Sequence, residues 1–337
     1  MSLLRSARFQ LPGLPFGMLF VAVVLAGCDN PPEHAAPKVE TDKTTAAASV
    51  DTRPPIDNPK RVLVTGQGAA ELMIALGLEA KVVGMYYGKQ FPAAADVATK
   101  LETIKAISET GPPSVEVALA LKPDFVLAQF PTLDLDSSRG AAGKADFERH
   151  GAYVFSYTAT SVAPKESTFE QFLNDVEALG RIFRVEERAQ QLTLDARTRI
   201  RQVRHSVRGY QPRKGAIVFS ASDQGLGVFG AGMLNDLLAS AAVTNVYSDH
   251  PDSLLNISRE DFARQPIEVY IIPDLHLPQR TPQDSFEWLQ ANFPQVPASR
   301  SGSYVAVGVE LLNVGLRNVE AVEQIAREVH HAPPGQK

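Results

Sequence analysis

Short β-branched runs alternate with helix-length stretches along most of this chain, and the changes are marked by glycine or proline. That pattern admits few folds other than a parallel sheet crossed by helices. Arg61-Val62-Leu63-Val64-Thr65 predicts a strand. Gly66-Gln67-Gly68 follows as a turn, and Ala69 to Leu76 as a helix ended by Gly77. Lys81 to Met85 predicts a second strand. A helix capped at Pro113-Ser114 runs through Val117, Leu119 and Leu121 until Pro123-Asp124 stops it. Phe125 to Phe130 reads as a buried strand, Ala145 to His150 as a helix stopped by Gly151, and Ala152 to Tyr157 as the next strand. Together these make a first α/β lobe.

From Ser167 the pattern changes. Ser167 and Glu170 match a capping box, and helical residues continue to about Val207. Leu192, Ala196, Ile200, Val203 and Val207 recur at spacings of four, four, three and four, which places them on one helix face. Glu186 to Val207 would span ~33 Å, long enough to bridge two lobes; a surface helix on a single domain is the alternative. Strand signals resume at Gly215 to Ser220, followed by helices at Met233 to Ala241 and from Ser258, and a strand at Val269 to Pro273. Phe286 to Phe293 predicts a short helix and Tyr304 to Val307 a strand. Leu316, Val319, Val322, Ile325 and Val329 mark the apolar side of a C-terminal helix. The expected fold is α/β, with two lobes of mostly parallel sheet joined by a single long α-helix.

Upstream, a basic start with Arg5 and Arg8 leads into an apolar run that closes on Leu25-Ala26-Gly27-Cys28. This reads as a bacterial lipoprotein signal peptide, with cleavage before Cys28 and lipidation of its thiol; the run is shorter than the ~20 residues a spanning helix needs. A signal anchor or a buried core cysteine are the alternatives. Cys28 is the only cysteine, so no intramolecular disulfide can form, and stability must come from packing. The expected divisions are 1–27 leader, 28–57 lipidated tether, 58–163 first lobe, 164–208 helical segment, 209–331 second lobe and 332–337 tail. The folded part of about 270 residues exceeds what one core usually supports. A net charge of −5 gives no encouragement to a nucleic-acid partner.

Ligands of open α/β sheets collect beyond the carboxyl ends of the strands. In the first lobe that selects Gln67, Tyr86, Tyr87 and Gln129, with Lys89 nearby to pair with an anionic substituent. The tyrosines would stack on a flat ligand, bind ferric iron as phenolates, or simply pack at the lobe surface. Gly66-Gln67-Gly68 lacks the full glycine pattern and the Lys-Ser/Thr of a phosphate loop. In the second lobe the matching positions are Asp223, Phe229, Asp274, His276 and Tyr304, with Arg280 and Glu310 a little farther on. Asp274, His276 and Arg280 offer an acceptor, a titratable nitrogen and a fixed cation, suited to a polar, partly anionic chelate. The seven histidines are dispersed, against a bare-metal site, and no nucleophile elbow is present.

Several stretches, in order, resemble the periplasmic binding proteins of ABC importers for cobalamin, siderophores, haem and related iron complexes. They include Ala70-Glu-Leu-Met-Ile-Ala-Leu-Gly, Ser114-Val-Glu-Val-Ala-Leu-Ala-Leu-Lys-Pro-Asp-Phe-Val, Phe147-Glu-Arg-His-Gly, Ala178-Leu-Gly-Arg-Ile-Phe, Gly230-Ala-Gly-Met-Leu-Asn-Asp-Leu-Leu and Gly315-Leu-Arg-Asn-Val-Glu-Ala-Val. The resemblance covers roughly residues 58 to 330. It implies two Rossmann-like lobes joined by one rigid helix, an interlobe ligand site and modest closure. It also implies a monomer that makes and breaks no covalent bonds and holds no resident cofactor. Its partners would be an ABC permease with its ATPase, and the membrane through the lipid anchor. Glu116 matches the family's permease-docking carboxylate. Asp236 lies about one turn from the second such position, which leaves two-point docking in doubt. Asp29 after Cys28 resembles an inner-membrane retention signal of some Gram-negative bacteria. An envelope lipoprotein that reuses the scaffold as a sensor, enzyme or protein-binding module is the alternative.

Overall fold

The computed structural model describes residues 56–331, apart from residues 89 and 110. The leader, Cys28, nearly all of the tether and Lys89 lie outside the described residues. Where the described chain begins, Asp57 forms an ion pair with Arg184, and Asn58 N donates to Ile182 O at 2.7 Å.

The first lobe runs β1 (Val62–Val64), α1 (Gln67–Ala75), β2 (Val82–Met85), α2 (Val115–Ala120), β3 (Phe125–Ala128), α3 (Lys144–Arg149) and β4 (Tyr153–Ser156). Its strands lie in the order β2-β1-β3-β4 and all pairings are parallel. Buried strands of this kind must be apolar on both faces. Val62 and Val64 accordingly enter the large core shared with the interlobe helices, while Leu63 packs with Tyr86, Val126 and Phe147 on the other side. The chain leaves β1 toward β2 and returns on the opposite side as β3, so the strand order reverses between β1 and β3. In open sheets that reversal opens a crevice at the carboxyl ends.

Two antiparallel helices follow, α4 (Phe169–Phe183) and α5 (Glu186–Ser206). The capping box falls one residue later than Ser167 and Glu170: Thr168 accepts from Gln171 N, and the Gln171 side chain returns to Thr168 N at 2.9 Å. Ser167 is unavailable because its hydroxyl donates to Ala159 O at 2.6 Å. Arg184, at φ 59°, breaks the helical run. On α5 the buried residues are Ala189, Thr193, Ala196, Ile200 and Val203, which agrees with the expected stripe; Leu192 is half-buried at its edge. None of the described helices is long and apolar enough to cross a membrane.

The second lobe contains β5 (Arg213–Ser222), β6 (Gly225–Phe229), α6 (Met233–Ser240), β7 (Val243–Asn245), β8 (Leu254–Ile257), α7 (Arg259–Ala263), β9 (Val269–Asp274), α8 (Pro282–Asn292), β10 (Tyr304–Gly308) and α9 (Asn318–His331). The sheet order is β10-β9-β5-β6-β8, with β7 also on β5. β7, β9 and β10 extend the sheet in parallel, whereas β6 and β8 form an antiparallel flap. The sequence expectation missed β6, β7 and β8, because glycine interrupts the first and the other two are short. α5 packs against α4, α6 and α9, which ties both lobes to one spine.

A Cβ on Gly180 of α4 would stand 2.5 Å from the Cβ of Ala189 on α5. Helix propensity alone predicts that Gly180→Ala gains up to about 1 kcal/mol. Overpacking at the crossing costs about 1–3 kcal/mol and should dominate. Denaturant unfolding of Gly180→Ala is expected to show a net loss of stability; a gain would mean that the two helices do not cross this closely.

Candidate functional site

The carboxyl ends of β1, β2 and β3 converge on one buried acid. Asp134, 1% exposed, accepts from Thr65 Oγ1 at 2.5 Å and Phe130 N at 2.8 Å through Oδ2, and from Tyr87 OH at 2.6 Å through Oδ1. Thr65 Oγ1 in turn accepts from Gln129 N at 2.9 Å. Thr65 follows β1, Tyr87 follows β2 and Phe130 follows β3, so a single carboxylate staples three strand ends. Burial pushes the Asp134 carboxyl up to about 6, while Thr65, Tyr87 and Phe130 pull against that shift by donating to the ionised form. Sequence reasoning passed over Asp134; the available signal was an acid closing the helical turn Pro131–Asp134 after a predicted strand.

Side-chain to backbone contacts form the seam between the lobes. Gln129 Oε1 accepts from Ala69 N at 3.2 Å, and its Nε2 donates across to Val314 O at 3.3 Å. A Cβ on Gly68 would lie 2.8 Å from that Nε2 and 3.3 Å from Val314 O, so this close approach requires glycine. Gln67 pairs with both backbone groups of Phe91, at 3.0 and 3.1 Å, and donates to Glu71 Oε1 at 2.9 Å. Burial holds the Glu71 carboxyl above its usual range. From the second lobe, Arg317 Nη1 donates to Pro92 O at 2.7 Å. The same guanidinium lies 3.4 Å from Glu320 and 4.0 Å from Glu310.

Glu310, directly after β10, pairs through Oε2 with His276 Nε2 at 2.8 Å, and the His276 ring stands 6.3 Å from that of Phe91. His276 N also donates to Asp274 Oδ1 at 2.8 Å. Gln67, Gln129, Asp274, His276 and Glu310 are thus gathered near one seam. Phe91, Pro92, Val314 and Arg317 join them without having been selected from sequence. Tyr87 and His276, on the loops that approach this seam from opposite lobes, both hold positive φ, at 66° and 54°. Such backbone costs about 1–3 kcal/mol and concentrates at functional loops.

The remaining candidates lie elsewhere or are committed to other contacts. Tyr86 is wholly buried beneath the first sheet, away from the cleft. Burial pushes the phenols of both Tyr86 and Tyr87 well above their usual range, which disfavours a phenolate at either. Asp223 is exposed at the β5–β6 turn, 3.5 Å from Arg259. Phe229 ends β6, which runs antiparallel to β5; it therefore sits beside the Val218–Val228 pairing and edge-on to Phe219, away from the carboxyl edge. Tyr304 opens β10 instead of following it; its OH donates to Gln283 Oε1 at 2.5 Å and its ring stacks on Phe286 at 4.5 Å. Arg280, in the loop after β9, is half-buried and donates through Nε to Ser285 Oγ at 3.3 Å.

The two docking candidates differ. Glu116 is exposed in the first turn of α2, with its carboxyl lowered by its own backbone N–H and by Ser114. Asp236 accepts from Phe169 N at 3.1 Å and pairs with Arg204 at 3.3 Å. It lies in a groove of about 450 Å³ on the flank of α4 and α5 that Arg197, Arg201 and Arg204 also line.

Residues 62–287 match the family model described as periplasmic binding protein. An uncharacterised ABC transporter substrate-binding lipoprotein of Bacillus subtilis is 24% identical over 203 residues, a match that covers 58% of this chain and 59% of that relative's length. A periplasmic binding protein from Veillonella parvula superposes with a TM-score of 0.75 at 21% identity, covering 82% of this chain and 93% of the other. A protein of an ABC-type Fe3+-hydroxamate transport system from Saccharomonospora viridis gives a TM-score of 0.69 at 22% identity, covering 81% and 94%. At these identities the likeness to solved structures is one of fold.

Asp134→Asn isolates the staple. The amide oxygen can accept from Thr65 and Phe130, and its NH2 can donate to the Tyr87 oxygen; the Tyr87 O–H then loses its acceptor, a cost that does not vary with pH over this range. A folded carboxyl raised from about 3.8 to about 6 contributes its full stability at low pH and loses it as pH rises through that window. Wild type should therefore lose roughly 2–3 kcal/mol relative to Asp134→Asn between about pH 4 and pH 7. Urea unfolding across that range measures it; parallel pH profiles would show that Asp134 is not desolvated as described.

Proposed function

The chain belongs to the periplasmic binding protein family, and from that premise we propose that it is the substrate-binding component of an ABC importer. It captures an iron complex, either a siderophore or haem, or a cobalamin-like compound between the lobes and delivers it to the permease and its ATPase. The observation that carries this reading is the facing of two carboxyl edges. The Asp134 staple fixes the ends of β1, β2 and β3, and Asp274, His276 and Glu310 follow β9 and β10 on the other side. Crevices at such strand ends are where α/β proteins hold small molecules. The hydroxamate-system protein of Saccharomonospora viridis supports an iron complex as the cargo.

Glu116 is the proposed contact with the permease, because its carboxylate is exposed and unshared with any basic side chain among the described residues. Asp236 is already engaged by Arg204 and Phe169, so docking is proposed to rest on one acidic point. A lipid on Cys28 would tether a monomer on the periplasmic side of the envelope, to the inner membrane on the reading of Asp29 as a retention signal.

Thermal unfolding with a ferric hydroxamate, haem and cyanocobalamin tests the assignment. A ligand that binds only the folded form adds about 2.7 kcal/mol at a hundredfold excess over its Kd. At least one of the three should raise the midpoint saturably. A midpoint unmoved by any of them would contradict import of this substrate class.

A further inference from the structure

Charge compensation along the cleft is almost complete within the protein. Asp134 accepts three hydrogen bonds, Asp274 one from His276 N, and Glu71 one from Gln67. Glu310 faces His276 at 2.8 Å and Arg317 at 4.0 Å. Arg317 has Pro92 O, Glu320 and Glu310.

Arg280 breaks this pattern. Its guanidinium is half-buried, and desolvation alone pulls its pKa down, with no acid pulling it back. Among the described residues no carboxylate lies within 4.0 Å of it, and its one hydrogen bond runs from Nε to Ser285 Oγ. Both Nη groups are left without a described acceptor. The nearest acid in sequence, Asp284, is committed to capping α8, accepting from Thr281 N and Oγ1 at 2.8 Å each. Removing a cation from water without a counter-charge is unfavourable, and a bidentate carboxylate is the anion that best matches a guanidinium fork. The Arg280 loop also carries His276, whose ring approaches Phe91 of the first lobe, so it borders the proposed ligand space.

We infer that Arg280 is an anion-reading position and that the cargo is an iron chelate carrying a free carboxylate outside its metal-binding groups. This rests on the substrate-binding reading above and narrows its ligand class. The Nε–Ser285 bond orients the fork. A chelate without such a group would leave the half-buried cation uncompensated and bind more weakly.

Calorimetric titration of wild type, Arg280→Lys and Arg280→Met separates the possibilities. The probes are ferric aerobactin, which keeps free carboxylates, haem, whose carboxylates are propionates, ferrioxamine B, whose ferric complex is cationic, and cyanocobalamin. Ferric aerobactin or haem should bind wild type more tightly than the other two, the preferred one identifying the carboxylate's source. Arg280→Met should weaken that ligand roughly tenfold or more, as loss of a charge-assisted pair does, with Arg280→Lys in between. Without ligand, Arg280→Met should unfold no earlier than wild type, because the cation has no carboxylate partner among the described residues and its one side-chain hydrogen bond, to Ser285 Oγ, is long at 3.3 Å. The inference is overturned if Arg280→Met binds the carboxylate chelate as wild type does, if ferrioxamine B or cyanocobalamin is preferred, or if Arg280→Met is markedly less stable unliganded. Binding of none of the four would remove the import reading as well.

Discussion

Two parallel sheets can share a ligand only if their carboxyl ends are held facing each other, and here that depends on contact across the seam beside α5. Gln129 bridges Ala69 N of α1 and Val314 O of the second lobe, and Arg317 reaches back to Pro92 O of the first. Below the seam one apolar cluster runs from Val64 and Leu127 through Phe172, Ala196 and Ile200 to Ile271 and Val322. Wide separation of the lobes would expose that cluster to water at about 25 cal/mol per Å2 of apolar surface. Small closing movements of the strand-end loops would leave it intact, as the proposed ligand site between the lobes requires.

Polar groups around the seam divide into those that hold the scaffold and those that are left for a partner. Asp134 lies too deep to meet a ligand, yet it sets the position of Tyr87 by accepting a hydrogen bond from its hydroxyl. Gln67 acts at the same remove, fixing the Phe91 backbone through two hydrogen bonds. The His276–Glu310 pair lies at the opposite wall with its side chains 29% and 12% exposed, and an incoming polar group meets His276 first. Strained backbone at Tyr87 and His276 is sustained by this surrounding network, in keeping with loops selected for position above local comfort.

The architecture was legible in sequence because strand and helix periods are local: Val62-Leu63-Val64 and the Ala196–Ile200–Val203 stripe announce their buried faces without reference to the rest of the chain. The β6–β8 flap was hidden, since Asp223-Gln224-Gly225-Leu226-Gly227 shows no clean alternation, and that concealment carried Phe229 to the wrong end of its strand. The site was legible only in part. Position after a strand selected Gln67, Gln129, His276 and Glu310, which the fold brings to the seam. Tyr86 failed that rule because alternation within the strand turned it inward. Asp134 and Arg317 were missed because their importance comes from contacts with residues 47 and 225 positions away, with Tyr87 and Pro92 respectively.

Hydrogen exchange, with and without the iron chelate that binds best, measures the shared site most directly. Amides at residues 86–92 and 129–134 of the first lobe should slow together with those at 274–281 of the second, while the α4–α5 flank around Arg201 stays unchanged. Protection confined to one lobe, or centred on that flank, would contradict a ligand held between the two carboxyl edges.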